Sequence, residues 1–222
     1  MIVGRGIVAT SMQGSMTDAT IFASGVSNSA CTDPLDFLRE KELILSQRRD
    51  RKFVYFSTCS LSDNSAMNEY LRHKLHMERI ISENFDDWNV LRLPTVVGLG
   101  GNSTNFFNHI SKRLREGSTV TAHMPLLRHL LDADHILPLV SSVIDKTNNE
   151  VVNVCVDNPE SVLEIILSMK KEIGSESEIV TVDVNANRRV DNCRIKEILG
   201  HRFEDIDRAD YNRRLIKKYL SI

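Results

Sequence analysis

Tyr70 and Lys74 are the side chains in this sequence best placed to exchange a proton with a ligand. They stand four positions apart in NEYLRHKLHMERII, where apolar residues recur at helical spacing. One turn of helix would bring the phenol and the ammonium to about 6 Å. A free tyrosine ionises near pH ~10, and a neighbouring cation favours the phenolate. We therefore predict that Lys74 lowers the pKa of Tyr70 for general acid/base catalysis, although ordinary amphipathic helices also carry this spacing.

The elements that must position this pair alternate along the chain. Short apolar strands are separated by segments with helical periodicity, which predicts an α/β fold with a parallel sheet and helices on both faces. The predicted strands are MIVG, TIFASG, KFVYFS, NVLRLP and VVNVCV, followed later by EIVTVDV. The predicted helices are PLDFLREKELILSQ, residues 65–85, residues 132–146, ESVLEIILSMKKEIG and two C-terminal helices around RIKEILG and residues 208–220.

Composition disfavours several classes of partner. The formal net charge of −2 over 222 residues gives no general attraction to nucleic acid or to an anionic membrane surface. No apolar stretch reaches membrane-spanning length. The four cysteines are far apart and lack metal-ligand spacing, which indicates reduced thiols and no metal site. We expect a cytoplasmic protein that binds neither nucleic acid nor membrane.

A glycine pattern suited to phosphate follows the first strand. Gly4, Gly6 and Ala9 form Gly-x-Gly-x-x-Ala between a predicted strand and a predicted helix. Such glycines let the backbone approach a pyrophosphate, which the helix N-terminus then holds. The alternative is a tight turn without a ligand. Only about a dozen residues separate Ala9 from the next strand at Thr20, so a second strand that would hold an adenosine ribose cannot fit.

Several motifs then follow in a fixed order. FVYFSTCS ends a strand in hydroxyl residues that include Thr58, and Tyr70 begins a Tyr-x-x-x-Lys-x-x-x-Glu run. LRLPTVVG comes next, and LLRHLLDADHILPLV contains Arg128. With this ordered set the chain resembles the extended short-chain dehydrogenase/reductase family, in particular its NAD-dependent nucleotide-sugar epimerases and dehydratases. The resemblance covers nearly the whole chain, with gaps, and is strongest over residues 53–140.

The resemblance implies which residues form the site. The cofactor would be NAD or NADP, and the substrate a UDP- or dTDP-sugar. Catalysis falls to Tyr70, Lys74 and Thr58; cofactor binding to Gly4, Gly6, Ala9, Ala23, Ser24, Gly25, Lys74 and Pro94; and substrate binding to Thr58, Thr95 and Arg128. No metal is implied. Because the family commonly dimerises through its tyrosine helix, a homodimer through the Tyr70 helix is expected.

The resemblance also implies the architecture, an abbreviated Rossmann-like parallel sheet with helices on both faces and a small C-terminal α/β substrate lobe. Residues 1–157 would form the truncated Rossmann-like domain, with 103–131 contributing to the lobe. Residues 158–222 would form the lobe itself.

Two departures from the family pattern bear on function. Cys59 and Ser60 stand where the family's dehydratases carry Asp-Glu, which disfavours dehydration. An epimerase and a 4-ketoreductase both remain, each acting by hydride transfer with Tyr70 as acid/base. Because the adenosine-binding strands are missing, dinucleotide binding is itself in question. The alternative is a non-catalytic or regulatory protein that keeps the scaffold but has lost productive dinucleotide binding.

Overall fold

A computed structural model of the chain describes residues 1–62, 67–184, 190–206 and 210–221. The described strands are β1 (Ile2–Val3), β2 (Thr20–Phe22), β3 (Phe53–Thr58), β4 (Trp88–Leu93), β5 (Thr95–Val97), β6 (Val120–Met124), β7 (Leu127–Arg128), β8 (Leu130–Asp132), β9 (Glu150–Asn153), β10 (Glu160–Ser161) and β11 (Ile179–Asp183). The described helices are α1 (Ile7–Ser11), α2 (Pro34–Leu45), α3 (Glu69–Asn84), α4 (Phe106–Arg115), α5 (Ile136–Lys146), α6 (Val162–Ile173), α7 (Cys193–Leu199), α8 (His201–Ile206) and α9 (Tyr211–Leu220).

The central sheet has five strands in the order β1-β2-β3-β4-β9. Every pair in it is parallel, and β3 and β4 match over six residues, from Phe53 opposite Trp88 to Thr58 opposite Leu93. Parallel strands of this kind need a crossover between neighbours, which the helices supply. The predicted α/β class with an abbreviated Rossmann-like sheet is confirmed.

The two faces of this sheet bury alternate residues of the same strands. Ile21 and Val54 join a large hydrophobic cluster that includes residues of α5, α6 and α9. Phe22, Phe53 and Tyr55 join a second cluster with residues of α2 and α3. Because side chains alternate across a strand, buried runs such as FVYF require cover on both faces. Helices therefore lie on both sides of the sheet, as predicted.

The C-terminal part adds smaller sheets and several helices. β6 pairs with β11 in parallel, β7 pairs with β10 antiparallel, and β5 pairs with β8 in parallel. α6 begins with a capping box between Ser161 and Glu164 and ends at Gly174, whose φ of 70° explains the glycine. The two-domain division at residue 157 stays a prediction.

Several element boundaries differ from the sequence patterns. A short 3₁₀ turn, Ala133–His135, precedes α5, because Asp132 caps the turn instead of beginning the helix. The VVNVCV strand ends early, at Asn153. Within the described residues, the C-terminal region contains three short helices where two were predicted. Residues 65 and 208, where two predicted helices begin, lie outside the described part of the chain.

None of the helices in the described part of the chain is both long and apolar enough to span a membrane.

Candidate functional site

A cleft of about 1170 Å³ opens at the carboxyl ends of the central strands. Its walls come from the segments that follow β1, β2, β3 and β4, together with parts of α3, α4, β6 and β7. Ligands of open parallel sheets bind at this edge, where the loops after successive strands meet. Of the predicted site residues, the cleft is lined by Gly6, Ala23, Ser24, Gly25, Thr58, Tyr70, Lys74, Pro94, Thr95 and Arg128.

Thr58 and Tyr70 meet in the cleft as the sequence motifs imply. Thr58 is the last residue of β3, and Tyr70 lies in the first turn of α3, where Asn68 caps the helix by accepting from the Leu71 N–H at 2.8 Å. Tyr70 is buried. Burial, and then the negative charge of Glu40, raise the pKa of Tyr70 well above 10, and a hydrogen bond with Thr58 offsets this only in part.

Lys74 is directed toward partners other than the Tyr70 hydroxyl. Its Nζ lies 6.0 Å from the centre of the Tyr70 ring, close to the separation predicted from helical spacing. Its hydrogen bonds go instead to Glu40 Oε1 at 3.0 Å and to the Tyr55 hydroxyl at 2.9 Å. The prediction that Lys74 lowers the pKa of Tyr70 is therefore wrong, because a carboxylate neutralises the ammonium and adds a charge of the opposite sign.

Glu40 is the residue that the sequence analysis missed. It is fully buried, and its carboxylate accepts from the Tyr55 hydroxyl, the Val26 N–H and Lys74, while His73 Nε2 lies 2.9 Å from Oε2. Burial alone would raise the pKa of Glu40. The Lys74 charge, followed by the hydrogen bonds from His73, Tyr55 and Val26, lowers it to about 2.

A helical-spacing signal for Glu40 was present in the sequence. Glu40 follows Phe37 by three residues and precedes Ile44 by four, so all three share one face of α2. Leu35 and Leu38 lie on another face and are exposed, whereas Leu43 and Leu45 pack against the same cluster as Ile44. An acidic residue in line with the inward-facing Phe37 and Ile44 could have been flagged as a buried charge in need of a partner.

Gly25 is required by this buried network. A Cβ on Gly25 would lie 2.6 Å from Glu40 Oε1 and 2.7 Å from Lys74 Nζ. The backbone after β2 therefore runs directly against the ion pair, and Gly25 both lines the cleft and closes over Lys74. Burial lowers the pKa of Lys74, although Glu40 favours its charged form.

A second ion pair, partly buried, fixes α3 against the sheet beside Thr58. Arg92 on β4 donates to Glu78 on α3 through Nε at 2.9 Å and Nη2 at 2.7 Å. Ser57 donates to the same carboxylate at 2.6 Å. This bidentate geometry holds the tyrosine helix in register with β3 and β4.

Of the three residues in the glycine pattern after β1, Gly6 lines the cleft and Gly4 and Ala9 do not. Gly4 has a φ of 135°, and a Cβ there would lie 2.3 Å from Ala23 O, so Gly4 allows close approach of two strand ends rather than lining the cleft. Gly6 lines the cleft, and a Cβ on it would meet nothing within 4 Å. Ala9 is buried in α1, a helix of only five residues. Gly6 is thus the position where a ligand phosphate could approach the backbone.

Arg128 and Thr95 come together on the opposite wall. Arg128 Nη1 donates to Thr95 Oγ1 at 3.2 Å, and its guanidinium carbon lies 4.3 Å from the centre of the Phe106 ring. The pairing of β7 with β10 places Arg128 opposite Glu160 in the backbone register. Arginine stacked on an aromatic ring in this way is held in a fixed plane facing the cleft.

The charged groups of the cleft wall share one sign. Described wall residues with basic side chains are Arg5, Arg39, Lys74, Arg113 and Arg128, together with His109, His123 and His129. The described part of this wall contains no Asp or Glu. A cleft lined in this way favours a ligand that carries phosphate or other anionic groups.

The topology and the motif positions together match a known fold. A parallel sheet with a glycine loop after its first strand and a strand-end threonine beside a buried Tyr-x-x-x-Lys helix give the chain the fold of the short-chain dehydrogenase/reductase epimerases and dehydratases. The resemblance inferred from the sequence motifs is confirmed at the level of the fold.

Solved structures of that type superpose over most of the chain. A dTDP-glucose 4,6-dehydratase from Streptomyces venezuelae is 14% identical, with a TM-score of 0.73 over 92% of this chain and 74% of that one. The RMD protein of Pseudomonas aeruginosa, complexed with NADPH, is 17% identical, with a TM-score of 0.70 over 94% and 82%. A UDP-glucose 4-epimerase from Thermus thermophilus is 14% identical, with a TM-score of 0.68 over 91% and 77%. No protein-family model and no curated protein sequence matches the chain.

Proposed function

We propose that the protein acts on a nucleotide sugar by NAD- or NADP-dependent hydride transfer, with Tyr70 as the general acid/base. The observation that carries this proposal is the placement of Thr58, Tyr70 and Arg128 on one cleft whose described charged residues are all basic. Both a nucleotide sugar and a nicotinamide cofactor bring phosphates into such a cleft. The structures that resemble the chain include complexes with NAD, NADPH and UDP-glucose, which supports the same ligand classes here.

Tyr70 would exchange a proton between its phenol oxygen and the reacting oxygen of the sugar, while the Thr58 hydroxyl orients that oxygen. A nicotinamide ring bound in the cleft would supply the hydride acceptor or donor. The raised pKa of Tyr70 disfavours the phenolate that would take a proton from a sugar hydroxyl, and the phenol stays protonated at neutral pH. A protonated phenol is ready to deliver a proton to a carbonyl oxygen, which supports ketoreduction as the first reaction to test.

Arg128 would bind the diphosphate of the sugar nucleotide through its planar guanidinium, with Thr95 holding one end of that plane. Gly6, Ala23, Ser24 and Pro94 would line the nicotinamide side of the cleft. Lys74 would reach a cofactor ribose only by giving up part of its contact with Glu40. The chain would form a homodimer through α3, where Leu75 is 47% exposed.

The test is to incubate the purified protein with NAD or NADPH and a panel of UDP- and dTDP-sugars that includes 4-keto derivatives. Ketoreduction consumes NADPH, whereas epimerisation regenerates its cofactor and is read from the sugar product. Tyr70→Phe should abolish turnover, and Tyr219→Phe, which alters a tyrosine bonded to Asp132 outside the cleft, should retain it. Turnover that is unchanged in Tyr70→Phe, or absent throughout the panel, contradicts the proposal.

A second candidate rests on the ion pair of Lys74 with Glu40. If that pair never opens, the protein is a nucleotide-sugar-binding or regulatory protein without hydride transfer. Calorimetry separates the candidates, because this second one predicts binding of a UDP- or dTDP-sugar without binding of NAD or NADP.

A further inference from the structure

We propose that the cleft holds only the nicotinamide mononucleotide half of a dinucleotide, and that the adenosine half makes no contact with this chain. The inference rests on the proposed function, since it concerns the cofactor of that same site. It names the portion of the cofactor that the described residues can recognise.

The first observation is the position of β1 at the edge of the sheet. β1 pairs with β2, and the order of the described sheet runs from β1 toward β9 with no further strand outside β1. In dinucleotide-binding folds the strands that follow the first one extend the sheet past it and form the floor for adenosine. Here residues 4–19 contain only the five-residue α1 and turns, so the chain passes from β1 to β2 without building that floor.

The second observation concerns the adenosine ribose. Dinucleotide sites place an acidic side chain about twenty residues after the glycines, where it binds the ribose hydroxyls. That distance from Gly4 falls at Ala23, Ser24 and Gly25, none of which carries a carboxylate. The described cleft wall offers no Asp or Glu from any other segment. The acidic side chain that binds the adenosine ribose of NAD is therefore missing from the described wall, as the missing strands would lead one to expect.

The third observation is the positive charge of the cleft wall near the ends of β1 and β2. Arg5 lies two residues after β1, and Arg39 on α2 donates to Ser24 O, two residues after β2, at 3.2 Å. Both arginines line the same cleft as Gly6. A mononucleotide ends in a phosphate monoester, whose charge near −2 exceeds that of the phosphodiester inside a dinucleotide. Two arginines at this point suit a terminal phosphate.

The experiment compares four probes by isothermal calorimetry on the full chain: reduced nicotinamide mononucleotide, NADH, NADPH and ADP-ribose. We expect the mononucleotide and NADH to bind with dissociation constants within about tenfold of each other, and ADP-ribose to show no binding up to about 1 mM. Arg5→Ala should weaken the mononucleotide and NADH by similar factors of about tenfold. Arg79→Ala removes an arginine that is 76% exposed and paired with Glu83. This control should leave the dissociation constants of the mononucleotide and of NADH unchanged.

The outcomes separate this inference from the proposed function. NADH or NADPH binding more than about tenfold tighter than the mononucleotide overturns the inference, because the adenosine half then makes contacts, but it leaves a nicotinamide-dependent enzyme standing. Binding of ADP-ribose overturns the inference in the same way. If no nicotinamide probe binds at about 1 mM, both the inference and the nicotinamide cofactor of the proposed function are wrong.

Discussion

Lys74 Nζ lies 3.0 Å from Glu40 Oε1, and both side chains are buried beneath the backbone of Gly25. The pair joins α3, which carries Tyr70, to α2, which packs beside it. In this arrangement the cation nearest to Tyr70 is neutralised, and the charge that acts on the phenol is the negative one of Glu40. The protonation state of the proposed catalytic tyrosine thus depends on a residue from another helix.

Tyr70 should ionise only at strongly alkaline pH, because burial and Glu40 both disfavour its phenolate. The tyrosinate absorbance can be titrated in wild type and in Tyr70→Phe. The difference between the two curves isolates Tyr70 from the other three tyrosines. We expect a pKa above the usual ~10. In activity assays, ketoreduction should then be independent of pH from ~6 to ~9, and the reverse reaction should rise about tenfold per pH unit. A Tyr70 pKa below ~10 contradicts this prediction.

Glu40 should contribute stability that disappears in acid. Its pKa falls from 4.5 to about 2 on folding, so its contribution is complete above the unfolded value and is lost as pH falls through the folded value. That shift corresponds to about 3 kcal/mol. Urea unfolding between pH 5 and pH ~2 should show a smaller loss of unfolding free energy in Glu40→Gln than in wild type. Glu83→Gln removes a carboxylate that is 53% exposed, and over the same pH range it should lose as much unfolding free energy as wild type.

The Glu40–Lys74 pair should show strong energetic coupling in a double-mutant cycle. Either Glu40→Gln or Lys74→Met leaves a buried charge without its counter-ion, at a cost of about 3–5 kcal/mol, whereas the double variant removes both charges. Denaturant unfolding should give a coupling of at least ~2 kcal/mol. Arg79 and Glu83 are a matched control, since their 2.7 Å pair is exposed and should couple by less than ~1 kcal/mol. Equal coupling in the two pairs would show that the buried pair is absent in solution.

Gly25→Ala should lower stability, whereas Gly6→Ala should lower cofactor affinity without lowering stability. A methyl group on Gly25 collides with Glu40 and Lys74, so the variant should lose about 1–3 kcal/mol of unfolding free energy. A methyl group on Gly6 meets nothing within 4 Å, and the φ of −77° suits alanine, so thermal stability should stay close to wild type. That methyl occupies cleft space instead, and calorimetry should show about tenfold weaker cofactor binding. Wild-type cofactor affinity in Gly6→Ala would count against a phosphate at Gly6.

Dimerisation through α3 should depend on leucines that the fold leaves exposed. Leu75 on α3 is 47% exposed, and Leu38 on the adjoining α2 is 48% exposed. A glutamate at position 75 would lose its hydration if α3 were covered by a second copy of the chain. Leu75→Glu should therefore convert a dimer to a monomer in sedimentation velocity. Leu167→Glu alters an α6 leucine of the same 47% exposure and should leave the dimer intact. A wild-type protein that sediments as a monomer refutes the proposed dimer directly.

Much of the fold could be predicted because its signals are local. The apolar run FVYF predicted β3, the apolar periodicity of residues 65–85 predicted α3, and the resemblance placed Thr58 and Tyr70 in one site. Leu75 shows the limit of periodicity, because it fits the apolar spacing of α3 and still lies largely in solvent. Which apolar residues of a helix are buried depends on the elements that pack against them, and the sequence of the helix alone does not specify those elements.

The sequence by itself determined the order of the central strands and of the helices that cover them, the short β1–β2 connection and the helical spacing of Tyr70 and Lys74, since each follows from the spacing of side chains along the chain. The family resemblance added the other residues of the site. Only the tertiary structure decided the electrostatics of the site. Lys74 and Glu40 are 34 residues apart in the chain and meet through the packing of α2 against α3. Burial and charge act through space, so the pKa of Tyr70 is set by the neighbours that folding brings to it.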